Sequence, residues 1–170
     1  MNPRYLGDSF DIVKRFFCET IKGLGYEVFI DPMFTGKWGE EVSTFYRFLS
    51  IRHVRELSSG KQPSALFLDP DTGVNERGSR RHVSFDRLAS ELETHALVFA
   101  FDQAFSRQVD LRKVIRTKLE AMSARGCYGL YYDSHARFLF VTKEASGIVV
   151  LSQRLHNLGI PASRLVQGGA

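Results

Sequence analysis

Cysteine is scarce in this 170-residue chain: there are two, Cys18 and Cys127, with no CxxC pair and no cysteine–histidine spacing suited to zinc. That excludes a disulfide scaffold and a zinc module, and both thiols are expected to sit reduced in the core. Long apolar runs are also missing. Nothing approaches the roughly 18 residues of a membrane span, and residues 1–8 carry no apolar signal core, so the expected address is the cytoplasm with no membrane partner. Internal repeats, linkers and low-complexity segments are absent as well. With 44% hydrophobic and 25% charged residues, the chain reads as a single α/β domain over 1–170. A net charge of +4 is a modest excess that favours a polyanionic partner without requiring one.

What is present is an alternation of two periodicities. Ile12, Val13, Phe16, Phe17, Ile21 and Leu24 recur at three and four, predicting a helix opened by Asp8 or Ser9 and ended by Gly25. Residues 26–30 read as a strand closed by Asp31-Pro32. Val42, Phe45, Tyr46 and Leu49 predict a second helix that continues through Val54 and Leu57. Ala65 to Leu68 and Ala96 to Phe101 are continuous apolar runs of the kind buried on both faces of a parallel sheet. Between them, Asn75 to His82 reads as a mobile loop and Asp86 to Glu93 as a short helix.

Leu111, Val114, Ile115, Leu119 and Met122 form an amphipathic helix ended by Gly126. Tyr128 to Tyr132 and Arg137 to Val141 are strands separated by a turn-length gap, which predicts an antiparallel hairpin. A helical stripe of Ile148, Leu151, Leu155 and Leu158 follows, then an edge strand at Arg164 to Val166. The expected architecture is a three-layer, Rossmann-like α/β fold with a mainly parallel sheet and a C-terminal antiparallel hairpin. Short edge strands near Arg137 and Arg164 would be the places for a dimer contact; the oligomeric state is left open.

Four predicted strands end in aspartate: Ile30-Asp31, Leu68-Asp69, Phe101-Asp102 and Tyr132-Asp133. The carboxyl ends of parallel strands share one rim, where open α/β sheets bind ligands. Crowded carboxylates repel unless one protonates, a basic side chain intervenes or a divalent cation binds, and hard oxygen donors suit magnesium or manganese. Asp69, Asp71 and Asp102 are therefore the candidate metal ligands. In Asp69-Pro70-Asp71-Thr72-Gly73 the proline stiffens the turn and the glycine permits close backbone approach, with Thr72 a candidate substrate contact.

Arg81, within Arg77-Gly78-Ser79-Arg80-Arg81-His82, and Arg107 are candidates for phosphate, and Gln103 shapes the pocket beside the third acidic strand end. His135 is the candidate proton carrier, whereas Ser134 lacks a nucleophile-elbow pattern. Asp8 and Asp11 fit capping of the first helix, Lys14 has no partner legible in the sequence, and Phe34 and Trp38 suit either base stacking or core packing.

The strings Gly7-Asp8-Ser9 with Asp11 to Lys14, Met33-Phe34-Thr35, Leu66 to Gly73, Phe101-Asp102-Gln103 and Ser134-His135-Ala136 resemble those of an uncharacterised bacterial protein family, a likeness that implies no activity. A second likeness is to Rossmann-like amino-methyltransferases using S-adenosylmethionine. These carry an Asp-Pro-Pro-aromatic element after a strand and a closing strand hairpin; here the element is Asp69-Pro70-Asp71-Thr72 and no glycine-rich motif follows the first strand. The same loop also resembles the nucleophile loop of haloacid-dehalogenase-type phosphatases, with its threonine one position early.

The leading expectation is a magnesium- or manganese-dependent phosphodiester or phosphoryl hydrolase acting on nucleic acid or a nucleotide. Asp69, Asp71 and Asp102 would hold the metal, Arg81 and Arg107 phosphate, and His135 a proton. The alternatives are a methyltransferase-like protein, with Asp31 or Asp69 on a ribose or amine, and a non-catalytic nucleotide-binding module.

Overall fold

The computed structural model describes residues 3–56, 62–103 and 110–169. Its centre is a seven-stranded sheet in the order β2-β1-β3-β6-β8-β7-β9. The strands are β1 (Glu27–Asp31), β2 (Arg52–His53), β3 (Ser64–Leu68), β6 (Leu97–Phe101), β7 (Tyr128–Tyr132), β8 (Phe138–Thr142) and β9 (Leu165–Gly168). A separate parallel pair joins β4 (Gly73–Asn75) to β5 (His82–Ser84). The helices are α1 (Ser9–Lys22), α2 (Glu41–Leu49), α3 (Phe85–Glu91), α4 (Leu111–Ser123) and α5 (Ala145–Asn157).

Strands β2, β1, β3 and β6 are parallel, and β8 runs against both β6 and β7. The chain leaves β6 through α4, skips one place to form β7, and returns through the hairpin to fill the gap with β8. The sheet is thus Rossmann-like with a reversed strand inserted near one end, as the hairpin in the sequence led one to expect.

Period-two alternation divides the core between two faces. Val28, Ile30, Ala65, Phe67, Leu97, Phe99, Leu130, Phe138 and Phe140 pack with α1, α2 and α5. Phe29, Leu66, Leu68, Val98, Ala100, Tyr131, Leu139 and Val141 pack with α3 and α4. The inner strands are buried on both sides, which is why their sequences are unbroken apolar runs rather than alternating ones. Both cysteines are buried and free. Among the described residues no helix is long and apolar enough to cross a membrane.

Three elements differ from the sequence reading. The second helix does not continue through Val54. Ser50 adopts a left-handed conformation (φ 56°) that ends it, and Arg52–His53 pairs with β1 as a short edge strand followed by a 3₁₀ turn. The segment after Asp71 is not a plain loop: β4 and β5 bracket it, Thr72 N–H donates to the Arg81 carbonyl at 3.0 Å, and Ser79 pairs with His82. The strand after Arg137 is no edge, because β8 lies between β6 and β7.

Candidate functional site

Strands β1, β3, β6 and β7 run in the same sense, so Asp31, Asp69, Asp102 and Asp133 do share the carboxyl rim of the sheet. They do not share a face. Leu68 pairs with Asp31 on one side and Ala100 on the other, so Asp69 is level with Phe101, one residue short of Asp102. That single step of register turns Asp69 toward α1 and Asp102 toward α4. Asp31 goes with Asp102, and its Oδ2 accepts from Arg87 of α3 at 2.5 Å.

On the α4 face, Asp102 is fully buried and fully bonded. Val74 N–H donates to Oδ1 at 2.9 Å, while Lys118 Nζ and the Tyr131 hydroxyl donate to Oδ2 at 2.6 and 2.8 Å. Lys118 also donates to the Val74 carbonyl at 2.7 Å. Burial holds the Lys118 ammonium below the usual lysine range against the pull of Asp102. Burial and the adjoining carboxylate push the Tyr131 phenol upward, so it remains a donor. This network ties β4, β6, β7 and α4 together.

On the α1 face, Lys14 Nζ lies 3.0 Å from Asp11 Oδ1 and 2.9 Å from Asp69 Oδ2, and Lys14 and Asp69 are 3% and 1% exposed. Asp8 caps α1 by accepting from the N–H groups of Phe10 and Asp11. Asp11 is more than a dipole residue: its Oδ2 accepts from Gly7 N–H at 2.8 Å, holding the turn before the helix. Burial raises the Asp69 carboxyl above the usual carboxylate range, with Lys14 pulling the other way. Burial would lower Lys14, but Asp69 and Asp11 together keep it above the ordinary lysine value.

The second oxygen of this buried carboxylate, Asp69 Oδ1, has no hydrogen-bond partner among the described residues. Asp69 lines a cavity of about 270 Å³ bounded by Asp8, Asp11, Lys14, Pro70, Asp71 and Gln103 and walled by Tyr5, Phe10 and Phe101. The Lys14 ammonium stands 4.9 Å from the Phe101 ring centre. Phe10 meets Phe101 edge-on at 5.6 Å and stacks on His135 at 4.9 Å, so the tip of the β7–β8 hairpin braces the cavity wall.

Of the candidate metal, catalytic and substrate residues read from the sequence, Asp69, Asp71 and Gln103 meet at this cavity. Asp71 Oδ2 accepts from Thr35 Oγ1 and Arg81 Nε at 3.1 and 3.0 Å, so Arg81 is engaged by a carboxylate. The Thr72 hydroxyl donates to the Arg81 carbonyl. His135 reaches the site through Phe10, Asp102 lies on the other face, and Arg107 falls outside the described residues. Phe34 and Trp38 stack on each other and pack against Phe45.

The three acids read from the sequence as candidate magnesium or manganese ligands stand apart in the fold. Asp69 and Asp102 diverge, each is neutralised by a lysine, and no three His, Cys, Asp or Glu side chains among the described residues are grouped to hold a metal. Lys14, Asp8, Asp11, Phe10 and Tyr5 line this cavity without having been assigned to a site from the sequence. Their one sequence signal is the Asp11/Lys14 spacing of three at a helix start, which surface ion pairs share.

Comparison of the chain with protein-family models, with curated proteins and with solved structures found no match.

Proposed function

We propose that the α1-face cavity binds a small ligand that presents a protonated amine or an amino N–H to Asp69. The observation that carries this reading is the unpartnered Asp69 Oδ1 in a buried position lining a cavity. An acceptor without a donor costs free energy that a ligand N–H would recover. Charge favours a cation: among the described residues four carboxylates and one ammonium line the cavity, and Tyr5, Phe10 and Phe101 supply aromatic surface that attracts cations. A carboxyl raised by burial is also a better proton acceptor near neutral pH than an ordinary aspartate. A volume of about 270 Å³ suits a ligand smaller than most drug-sized molecules.

A second reading, transfer of a methyl group from S-adenosylmethionine to that amine, is favoured by one arrangement. Asp69-Pro70 stands directly after the central strand β3, and the reversed strand β8 closes the sheet between β6 and β7. The metal-dependent hydrolase reading requires displacement of Lys14 or Lys118 from its carboxylate, and it is tested by the same titration.

That experiment is calorimetric titration of wild type and Asp69→Asn with a monoamine, a diamine, a guanidine, S-adenosylmethionine, and magnesium or manganese with a mononucleotide. Saturable binding of an amine or of S-adenosylmethionine, lost in a folded Asp69→Asn, supports the reading. Metal binding without amine binding returns the hydrolase. A folded wild type that binds none of the cations sinks the amine reading.

A further inference from the structure

The two edges of the sheet are built differently. Strand β2 is two residues long and carries a charged Arg52, the ordinary means of discouraging a further strand. Strand β9, Leu-Val-Gln-Gly, has neither charge nor proline and, among the described residues, is paired only with β7. Its outward backbone groups can be accounted for one by one.

The register is Gly129↔Gly168, Leu130↔Gln167, Tyr131↔Val166 and Tyr132↔Leu165, and Asp133 N–H donates to the Arg164 carbonyl at 2.8 Å. Bonded and non-bonded pairs alternate along an antiparallel ladder, so Arg164, Val166 and Gly168 face β7 while Leu165, Gln167 and Gly169 turn outward. Two of the outward groups are satisfied within the chain. Leu165 N–H donates to the Ala162 carbonyl, and the Gly169 carbonyl accepts from Ser123 Oγ at 2.6 Å. Among the described residues, the outward set that remains is the Leu165 carbonyl, both groups of Gln167, and Gly169 N–H.

We infer that β9 pairs with β9 of a second copy of this chain, antiparallel about a two-fold axis at Gln167. Gln167 and the partner's Gln167 exchange two hydrogen bonds, and Gly169 N–H donates to the carbonyl of the partner's Leu165, twice by symmetry. The pairing uses every remaining group and leaves none over. An axis one residue away would face the already occupied Leu165 N–H and Gly169 carbonyl.

The flanking groove carries a matching charge pattern. A cavity of about 970 Å³ runs between α4 and β9, lined by Arg112, Arg116, Leu119, Glu120, Val166 and Gly168. Arg112, Arg116 and Glu120 recur at four, so one stripe of the helix is basic toward its start and acidic toward its end. A Cβ at Gly168 would stand 2.8 Å from Leu119 Cβ, which sets the axis level with the Arg116–Glu120 turn. Two-fold reversal then places Arg116 opposite the partner's Glu120 and the reverse, the self-complementarity an isologous interface requires. Helices seated over the β7–β9 boundary in two such copies lie about 10 Å apart, a normal packing distance.

Sedimentation equilibrium over a range of concentrations tests this, with wild type expected at twice the 19.3 kDa chain mass. Gln167→Pro removes the axial N–H without touching the ladder to β7 and should give a folded monomer, its fold checked by circular dichroism. Arg116→Glu and Glu120→Arg, both at exposed positions, should each weaken the dimer about tenfold or more, and the double exchange should restore it. A monomeric wild type overturns the inference, as does a dimer indifferent to Gln167→Pro and to charge reversal. Wild type that is monomeric alone but captures an added extended peptide at β9 would overturn it in favour of a foreign strand.

Discussion

Among the described residues, each face of the sheet buries a lysine–aspartate pair at the carboxyl rim, Asp102–Lys118 under α4 and Asp69–Lys14 under α1, and the two are finished differently. Both oxygens of Asp102 are bonded, by a backbone N–H, an ammonium and a phenol. Asp69 is as deeply buried yet, among the described residues, keeps one oxygen without a partner beside a cavity. A buried charge costs several kcal/mol to desolvate, roughly, and a completed network offsets that cost while an incomplete one does not. The contrast separates a carboxylate with a completed network from one with an oxygen to spare for the proposed ligand, although both follow a strand in the same way.

Removing a lysine should expose the difference most sharply on the structural side. Lys118→Ala leaves Asp102 as an uncompensated buried charge and takes a donor from the Val74 carbonyl, so urea unfolding should show a loss of about 3–5 kcal/mol. Asp69→Asn should cost less, about 1–2 kcal/mol, because Lys14 retains Asp11 and the substitution removes an acceptor that was already half unused. Equal losses in the two variants would dissolve the distinction. A larger loss at Asp69 would make it the structural member of the two.

How much of this was legible in the sequence follows from the same pair. The strands were readable because apolar runs ending at Asp69 and Asp102 state their own burial, and the hairpin because a short polar turn separates two such runs. The shared rim followed from parallel strands. The split between faces did not, because it depends on a one-residue offset between β3 and β6 that neither strand encodes alone. Lys14 was invisible as the partner of Asp69 for a related reason: 55 residues separate them, and only the docking of α1 brings them together. Crowded carboxylates need a proton, a basic side chain or a divalent cation; Lys14 and Lys118 are such basic side chains, and neither was readable as the partner of its aspartate.

Titration offers a smaller but opposite-signed test. Burial lowers both ammonium groups; two carboxylates overcome it at Lys14, and a single carboxylate does not at Lys118. A lysine raised in the folded state contributes stability that is complete below its unfolded value of about 10.4 and is lost as pH climbs through the folded value. A lowered lysine has the reverse sign: the folded protein releases that proton first, so the cost of burying the charge declines as pH rises toward about 10.4. Denaturation at stepped alkaline pH should therefore show the advantage of wild type over Lys118→Met widening below about 10.4, and that over Lys14→Met shrinking above it. If both differences moved the same way, the count of carboxylates would not be what sets the two lysines apart.

The least perturbing probe reaches the cavity from outside. His135 is exposed and, among the described residues, meets the site by stacking on Phe10, which in turn leans edge-on against Phe101. His135→Ala should lower the midpoint of thermal unfolding by only about 1–2 °C, since one exposed aromatic contact is lost from a chain of this length. If His135 acts through the position of Phe10, His135→Phe restores amine affinity while His135→Ala weakens it a few-fold, and neither changes its pH dependence. A pH profile of binding that changes shape in His135→Phe would instead make the imidazole a proton carrier at the site.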